Sequence, residues 1–150
     1  MIVLSQSSHI EKVLKKFAMK DSKKGGQPSR TGITLSLDKC PKTSEEKVYI
    51  EKVPDASAVG SLMYAMLCTR PDICYTVDIV SRYQSNPGLN RWVAVKHILK
   101  YLKRTRDYML VYLGEDLTPL GYTDYDFQSD RDSRKSTSSS VFTLGGGAIE

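Results

Sequence analysis

Apolar residues recur at helical spacing in four stretches of this chain and at strand spacing toward its end. Over residues 8–20, Ile10, Val13, Leu14 and Phe17 make one stripe, and Ser7 or Ser8 can cap its start. Lys12, Lys15, Lys16 and Lys20 lie mostly off that stripe, so the segment predicts an amphipathic helix. From Ala56, the residues Val59, Leu62, Met63, Met66 and Leu67 form one apolar face and predict a second helix. Thr69-Arg70-Pro71-Asp72 interrupts it. Proline is tolerated in a helix's first turn but not its interior, and an acid there suits the helix dipole. A further helix is therefore predicted from about 71 to 84, burying Ile73, Val77 and Val80, with Tyr83 an additional candidate. Asn86-Pro87-Gly88 reads as a turn. Residues 89–105 carry the clearest pattern: Trp92, Val95, Leu99 and Leu102 with Ile98 on one face, and Lys96, Lys100 and Lys103 on another.

After Arg106 the pattern changes to strands, over Tyr108–Leu113, Pro119–Phe127 and Ser140–Leu144, with Gly145-Gly146-Gly147 as a flexible bend. Residues 21–54 are a long polar connection interrupted by Gly25-Gly26, Pro28, Pro41 and Pro54. Its best strand candidate is Gly32-Ile33-Thr34-Leu35-Ser36-Leu37. The predicted class is α+β: a helical unit over about 1–106, then a β meander over about 107–150.

Composition narrows this picture. At 40% hydrophobic and 26% charged residues over 150 positions, the chain suits a globular domain, or a small domain plus part of another. No apolar run approaches the roughly 20 residues that span a bilayer, and Met1-Ile2-Val3-Leu4-Ser5 lacks the basic region of a secretory signal. That leaves no membrane partner expected, and Cys40, Cys68 and Cys74, which form no CxxC pair, favour buried reduced thiols in a cytoplasmic or nuclear protein. With only His9 and His97, little is available for zinc or histidine general-base chemistry.

The net charge of +5 is unevenly spread. Residues 1–30 hold seven Lys/Arg against two Asp/Glu, and residues 91–106 hold six basic side chains and no acid. Residues 107–132 hold seven acids against Arg131. Basic segments followed by an acidic one suggest phosphate contacts beside a metal site, whereas solvated helix faces are the plainer explanation. Asp124 and Asp126 share a face of an extended strand and can hold a divalent metal, but such a site needs further oxygen ligands. After Asp132 the sole acid is Glu150, so the metal site at Asp124 is expected to be incomplete. Gly145-Gly146-Gly147 is no phosphate loop, since no GK[ST] follows, and 124–135 is no EF-hand, with Ser129 and Lys135 at its sixth and twelfth positions.

Several stretches in colinear order resemble the Pol polyprotein of copia-type long-terminal-repeat retrotransposons. They are Leu4-Ser5-Gln6, Lys12-Val13-Leu14-Lys15-Lys16-Phe17, Cys40-Pro41-Lys42-Thr43 and above all Ala56–Tyr112. The last contains Ala58-Val59-Gly60-Ser61-Leu62-Met63-Tyr64, Thr69-Arg70-Pro71-Asp72-Ile73 and Val95-Lys96-His97-Ile98-Leu99-Lys100-Tyr101-Leu102-Lys103. Gly121-Tyr122-Thr123-Asp124, Asp130–Ser138 and Val141–Ile149 continue the match.

The resemblance implies that residues 1–106 are the thumb-and-connection end of a reverse transcriptase, which grips template–primer beside an upstream palm domain. It implies that residues 107–150 hold a connection strand and the incomplete start of an RNase H-like domain. Asp124 would be the first of four carboxylates that bind Mg2+ in the parent family, the others lying beyond Glu150. The segment is then expected to be non-catalytic, to bind Mg2+ weakly if at all, and to grip an RNA/DNA hybrid through Lys96, Lys100, Lys103, Arg104, Lys12 and Lys16. Such binding is electrostatic and weakens with salt.

Departures from the family pattern fall at His9 and Asp55, each where a Tyr is usual, and at Ser139-Ser140 in place of Gly-Tyr. Asp55 and Ser140 are expected to remove aromatic surface, as in a decayed or co-opted copy. Two alternatives stand beside nucleic-acid binding: an inert pseudogene fragment, and a protein-interaction module resembling proteins catalogued as secreted pathogen effectors.

Overall fold

A computed structural model describes residues 1–29, 35–36, 40–83, 88–114, 118–126, 134 and 136–149. Most of the strand candidate at 32–37 and of the turn at 86–88 lies outside the described residues. The architecture mixes helices with small antiparallel sheets, and it divides into two compact units. One is Gln6–Tyr108; the other joins Met1–Ser5 to Met109–Glu150.

The Gln6–Tyr108 unit is helical. Helix α1 (Ser7–Lys16) buries Ile10, Val13 and Leu14, the stripe that its spacing predicts. It stops four residues short of the predicted end, and the reason is a Schellman turn. Ala18 takes a left-handed φ of 55°, its N–H reaches the Lys15 carbonyl at 3.2 Å, and the Met19 N–H reaches the Leu14 carbonyl at 2.8 Å. Glycine usually fills the Ala18 position, so the stop carries no sequence signal. Helix α2 (Ser44–Glu51) falls inside the stretch expected to be irregular. It begins with a capping box: Thr43 Oγ1 accepts the Glu46 N–H at 3.3 Å, while Glu46 Oε2 accepts the Lys42 and Thr43 N–H groups at 3.0 and 3.2 Å. Those backbone bonds hold the Glu46 carboxyl below the usual carboxylate range.

Helix α3 (Asp55–Cys68) packs Ala58, Val59, Leu62 and Ala65 into the core. Pro71–Ile73 then forms a 3-10 turn leading into α4 (Cys74–Ser81), which buries Val77 and Val80. Tyr83 is half-buried and donates to the Leu35 carbonyl at 3.2 Å. Helix α5 (Leu89–Arg104) is the central element, with Val95, Ile98, Leu99 and Leu102 in the core and Lys103 and Arg104 in the last turn, where they favour the dipole. Helices α1, α3 and α4 all pack on it.

The second unit is built of strands. Strand β1 (Ile2–Ser5) pairs antiparallel with β2 (Met109–Tyr112), Ile2 opposite Tyr112 and Ser5 opposite Met109. Strands β3 (Leu120–Asp126), β4 (Thr137–Leu144) and β5 (Gly147–Ala148) form an antiparallel meander. The glycine run is a packed turn rather than a flexible bend. Gly145 adopts φ +54°, its carbonyl accepts the Leu113 N–H at 2.8 Å, and a Cβ there would collide with the Leu113 oxygen. Only glycine permits that approach.

Candidate nucleic-acid interface

The site is organised by α5. Its inward face is apolar except for Arg91, which is 1% exposed. Arg91 Nε donates to the Val80 carbonyl at 2.6 Å, and its Nη1 pairs with Asp55 Oδ2 at the start of α3. Burial lowers the Arg91 guanidinium below its ordinary value. This overturns the expectation for Asp55: it does not leave an aromatic gap, because the carboxylate is the buried partner of a buried arginine. Ser140, by contrast, lies exposed on β4.

The far end of α5 is fixed by the Thr69-Arg70-Pro71-Asp72 motif. Arg70, 1% exposed, binds Asp72 through both Nε at 2.9 Å and Nη2 at 2.7 Å. Its Nη1 donates to the Thr105 carbonyl at 3.1 Å and its Nη2 to Thr105 Oγ1. Tyr101 donates its hydroxyl to Asp72 Oδ2 at 2.7 Å, and the guanidinium lies over the Tyr101 and Tyr108 rings. Burial alone would raise the Asp72 carboxyl, but the bonds from Arg70 and Tyr101 and the Arg70 charge outweigh it and hold the group low. Burial and then the Asp72 bond push the Tyr101 hydroxyl up. The motif is thus a joint at the end of α5, where Arg70 adds its bond to a Thr105 carbonyl that also accepts the Tyr108 N–H at 3.0 Å.

On the outer face, the predicted lysines have different surroundings. Lys96 lies over the Trp92 ring at 5.7 Å, and Arg104 is exposed. Lys100 and Lys103 are half-buried because residues 19–26 cross this face. The Gly25 N–H reaches the Lys100 carbonyl at 2.9 Å, and Lys103 Nζ donates to the Ser22 carbonyl at 2.5 Å. The crossing segment carries Lys20, Lys23 and Lys24, all exposed, and one acid, Asp21. Sequence reasoning did not single out Lys23 and Lys24, which lie between the two points, Ser22 and Gly25, where the segment meets α5; Gly25-Gly26 after a lysine pair was the available signal. Lys12 and Lys16 project from α1, where Lys16 Nζ donates to Ser57 Oγ of α3 at 2.7 Å rather than joining the α5 row.

Asp124 sits in β3 opposite Ser139 and is exposed. Its Oδ1 accepts the N–H of Tyr125 at 2.8 Å. The Asp126 side chain lies outside the described residues, and among those described no three acids, histidines or cysteines gather where they could hold a metal. Magnesium needs near-octahedral oxygen ligation, and two-metal hydrolysis needs several carboxylates, so the described donor set does not fit the group. The cysteines are unbridged, with Cys40 buried, Cys68 half-buried and Cys74 exposed. No helix among the described residues is long and apolar enough to cross a membrane.

The chain is 51% identical over 146 residues to the retrovirus-related Pol polyprotein from transposon TNT 1-94 of Nicotiana tabacum, covering 97% of this chain and 11% of that one. It is 32% identical over 143 residues to the corresponding polyprotein from transposon RE2 of Arabidopsis thaliana, covering 95% and 9%. The chain belongs to the copia-type, retrovirus-related Pol polyproteins. It spans about a tenth of the length of these Pol relatives. It is also 41% identical over 101 residues to Secreted RxLR effector protein 161 of Plasmopara viticola, covering 67% of this chain and 71% of that protein. No family model matches, and no solved structure matches. Within this Pol segment, the resemblance-bearing motif at 69–72 builds the helical frame, and α5 carries Lys96, Lys100, Lys103 and Arg104 away from the core.

Proposed function

We propose that this Pol segment grips nucleic acid without performing chemistry on it. Gln6–Tyr108 acts as a thumb-and-connection-like unit of a reverse transcriptase, and the later strands act as the opening of an RNase H-like domain. The observation that carries this reading is the row of cations on α5 with lysine-bearing residues 19–26 docked beside it. Lysine and arginine side chains on an ordered helix neutralise phosphates and release condensed counterions, giving sequence-independent affinity. The substrate that fits the family is an RNA/DNA hybrid, held by its backbone. Fluorescence anisotropy with a labelled hybrid across a salt series tests this: log affinity should fall linearly with log salt. Affinity that ignores salt would overturn the reading.

A second reading, a protein-interaction module, is favoured by a specific feature of α3. Gly60, Met63, Tyr64 and Leu67 recur at helical spacing on its outer face, and all four are exposed. The relationship to an effector protein points the same way. Capture of a protein partner that survives nuclease treatment would favour this reading over the first.

A further inference from the structure

Residues 19–26 are tied down at several points. Met19 is buried behind the Schellman turn, and Ser22 folds back on it, its N–H and Oγ reaching the Met19 carbonyl at 3.2 and 2.7 Å. Lys103 then holds the Ser22 carbonyl, and Gly25 lies flat on α5. A Cβ on Gly25 would stand 3.1 Å from both Lys100 Cβ and the Tyr101 backbone nitrogen, so the absence of a side chain sets how closely the segment lies. Arg104 reaches the same place, its Nη1 3.5 Å from where a Gly26 Cβ would be.

We infer that residues 19–26 form a fixed strap whose Lys23 and Lys24 join Lys100 and Arg104 in one phosphate-binding surface, and that Lys103 is a positioning residue for it. The inference rests on the nucleic-acid reading above and deepens it. A lysine whose ammonium is bound to a main-chain carbonyl is directed at the strap, not at a ligand. Lys23 and Lys24 have no carboxylate partner among the described residues, so their charge is available to a polyanion. Asp21 offsets part of it. A loop presented this way loses little conformational freedom on binding, which is what ordering a free lysine-rich loop would otherwise cost.

The test uses the full chain, a labelled RNA/DNA hybrid and a salt series. Replacing both lysines, K23A with K24A, should lower the magnitude of the salt slope by about 0.9 for each phosphate no longer neutralised. Lys103→Met should produce a similar fall in the otherwise natural chain and almost none when Lys23 and Lys24 are already absent. It should also speed tryptic cleavage at Lys23 and Lys24, a readout independent of ligand. Additive effects of Lys103→Met and the lysine pair would show that Lys103 itself touches phosphate and overturn its positioning role. A natural chain that binds with a salt slope unchanged by K23A/K24A would sink the strap while leaving the broader reading intact. A natural chain that fails to bind the hybrid would remove both.

Discussion

Asp55 and Arg91 form a buried ion pair joining the first turn of α3 to the first turn of α5, with the two residues 4% and 1% exposed. Removing one partner of such a pair strands the other charge in the core, at a cost of about 3–5 kcal/mol. Arg91→Met should therefore destabilise the chain strongly in urea unfolding. Replacing the pair together, Asp55→Leu with Arg91→Met, should recover most of that stability, because apolar residues of similar size need no compensation. A double variant as unstable as the single one would mean the pair is not the main interaction at this site.

The pair also shows what a single sequence conceals. Arg91 reads as one more cation on a basic helix, and Asp55 as a lost aromatic. Their positions in the chain are far apart, so neither charge announces the other. Only the packing of α3 on α5 makes them partners.

The Arg70–Asp72 joint predicts a pH dependence. Asp72 has its folded-state pKa below the unfolded value of about 3.9, so between the two values the unfolded chain binds more protons. The stabilisation is complete above the unfolded value and is lost as pH falls through the folded one. Urea midpoints should hold from neutral pH down to about pH 4 and drop as pH falls further, and Asp72→Asn should flatten that drop. An equal drop in the variant would place the acid sensitivity elsewhere.

Exchanges between alanine and glycine should change stability in opposite directions at different sites. Ala18 holds a left-handed conformation at the end of α1, which costs an L-residue with a Cβ roughly 1 kcal/mol relative to glycine, so Ala18→Gly should raise stability. Gly60 lies within α3 with open space around it, so Gly60→Ala should also help, by about 0.5–1 kcal/mol. Gly145→Ala should do the reverse, since a Cβ collides with the Leu113 backbone. Thermal melts of the three variants decide the matter: a neutral Gly145→Ala would contradict the packed turn.

How much of the fold could be read depended on the range of the interactions. Helices α1, α3, α4 and α5 were legible because each buries residues at its own helical spacing, as with Val95, Leu99 and Leu102. Helix α2 was not, because Ile50 alone is buried on it and its signal is the Thr43–Glu46 cap. Strand β1 was not, because Ile2–Ser5 find partners only at Met109–Tyr112. The α5 lysines were legible as a face, but the strap that crosses it depends on Gly25 meeting Lys100, an approach no local pattern encodes.

Helix α3 supplies the last prediction, because its sequence gives apolar residues to both sides. Val59 and Leu62 are in the core, while Leu67, expected on the same face, is 70% exposed. Leu62→Ala should cost about 2–5 kcal/mol through reduced burial and the cavity left behind. Leu67→Lys disturbs no core packing and should shift stability by no more than about 0.5 kcal/mol. If Leu67→Lys instead unfolds the chain, that outer face is covered by packing and cannot serve as a binding surface. If stability holds while capture of a protein partner is abolished, the exposed stripe at Met63, Tyr64 and Leu67 is where the partner sits.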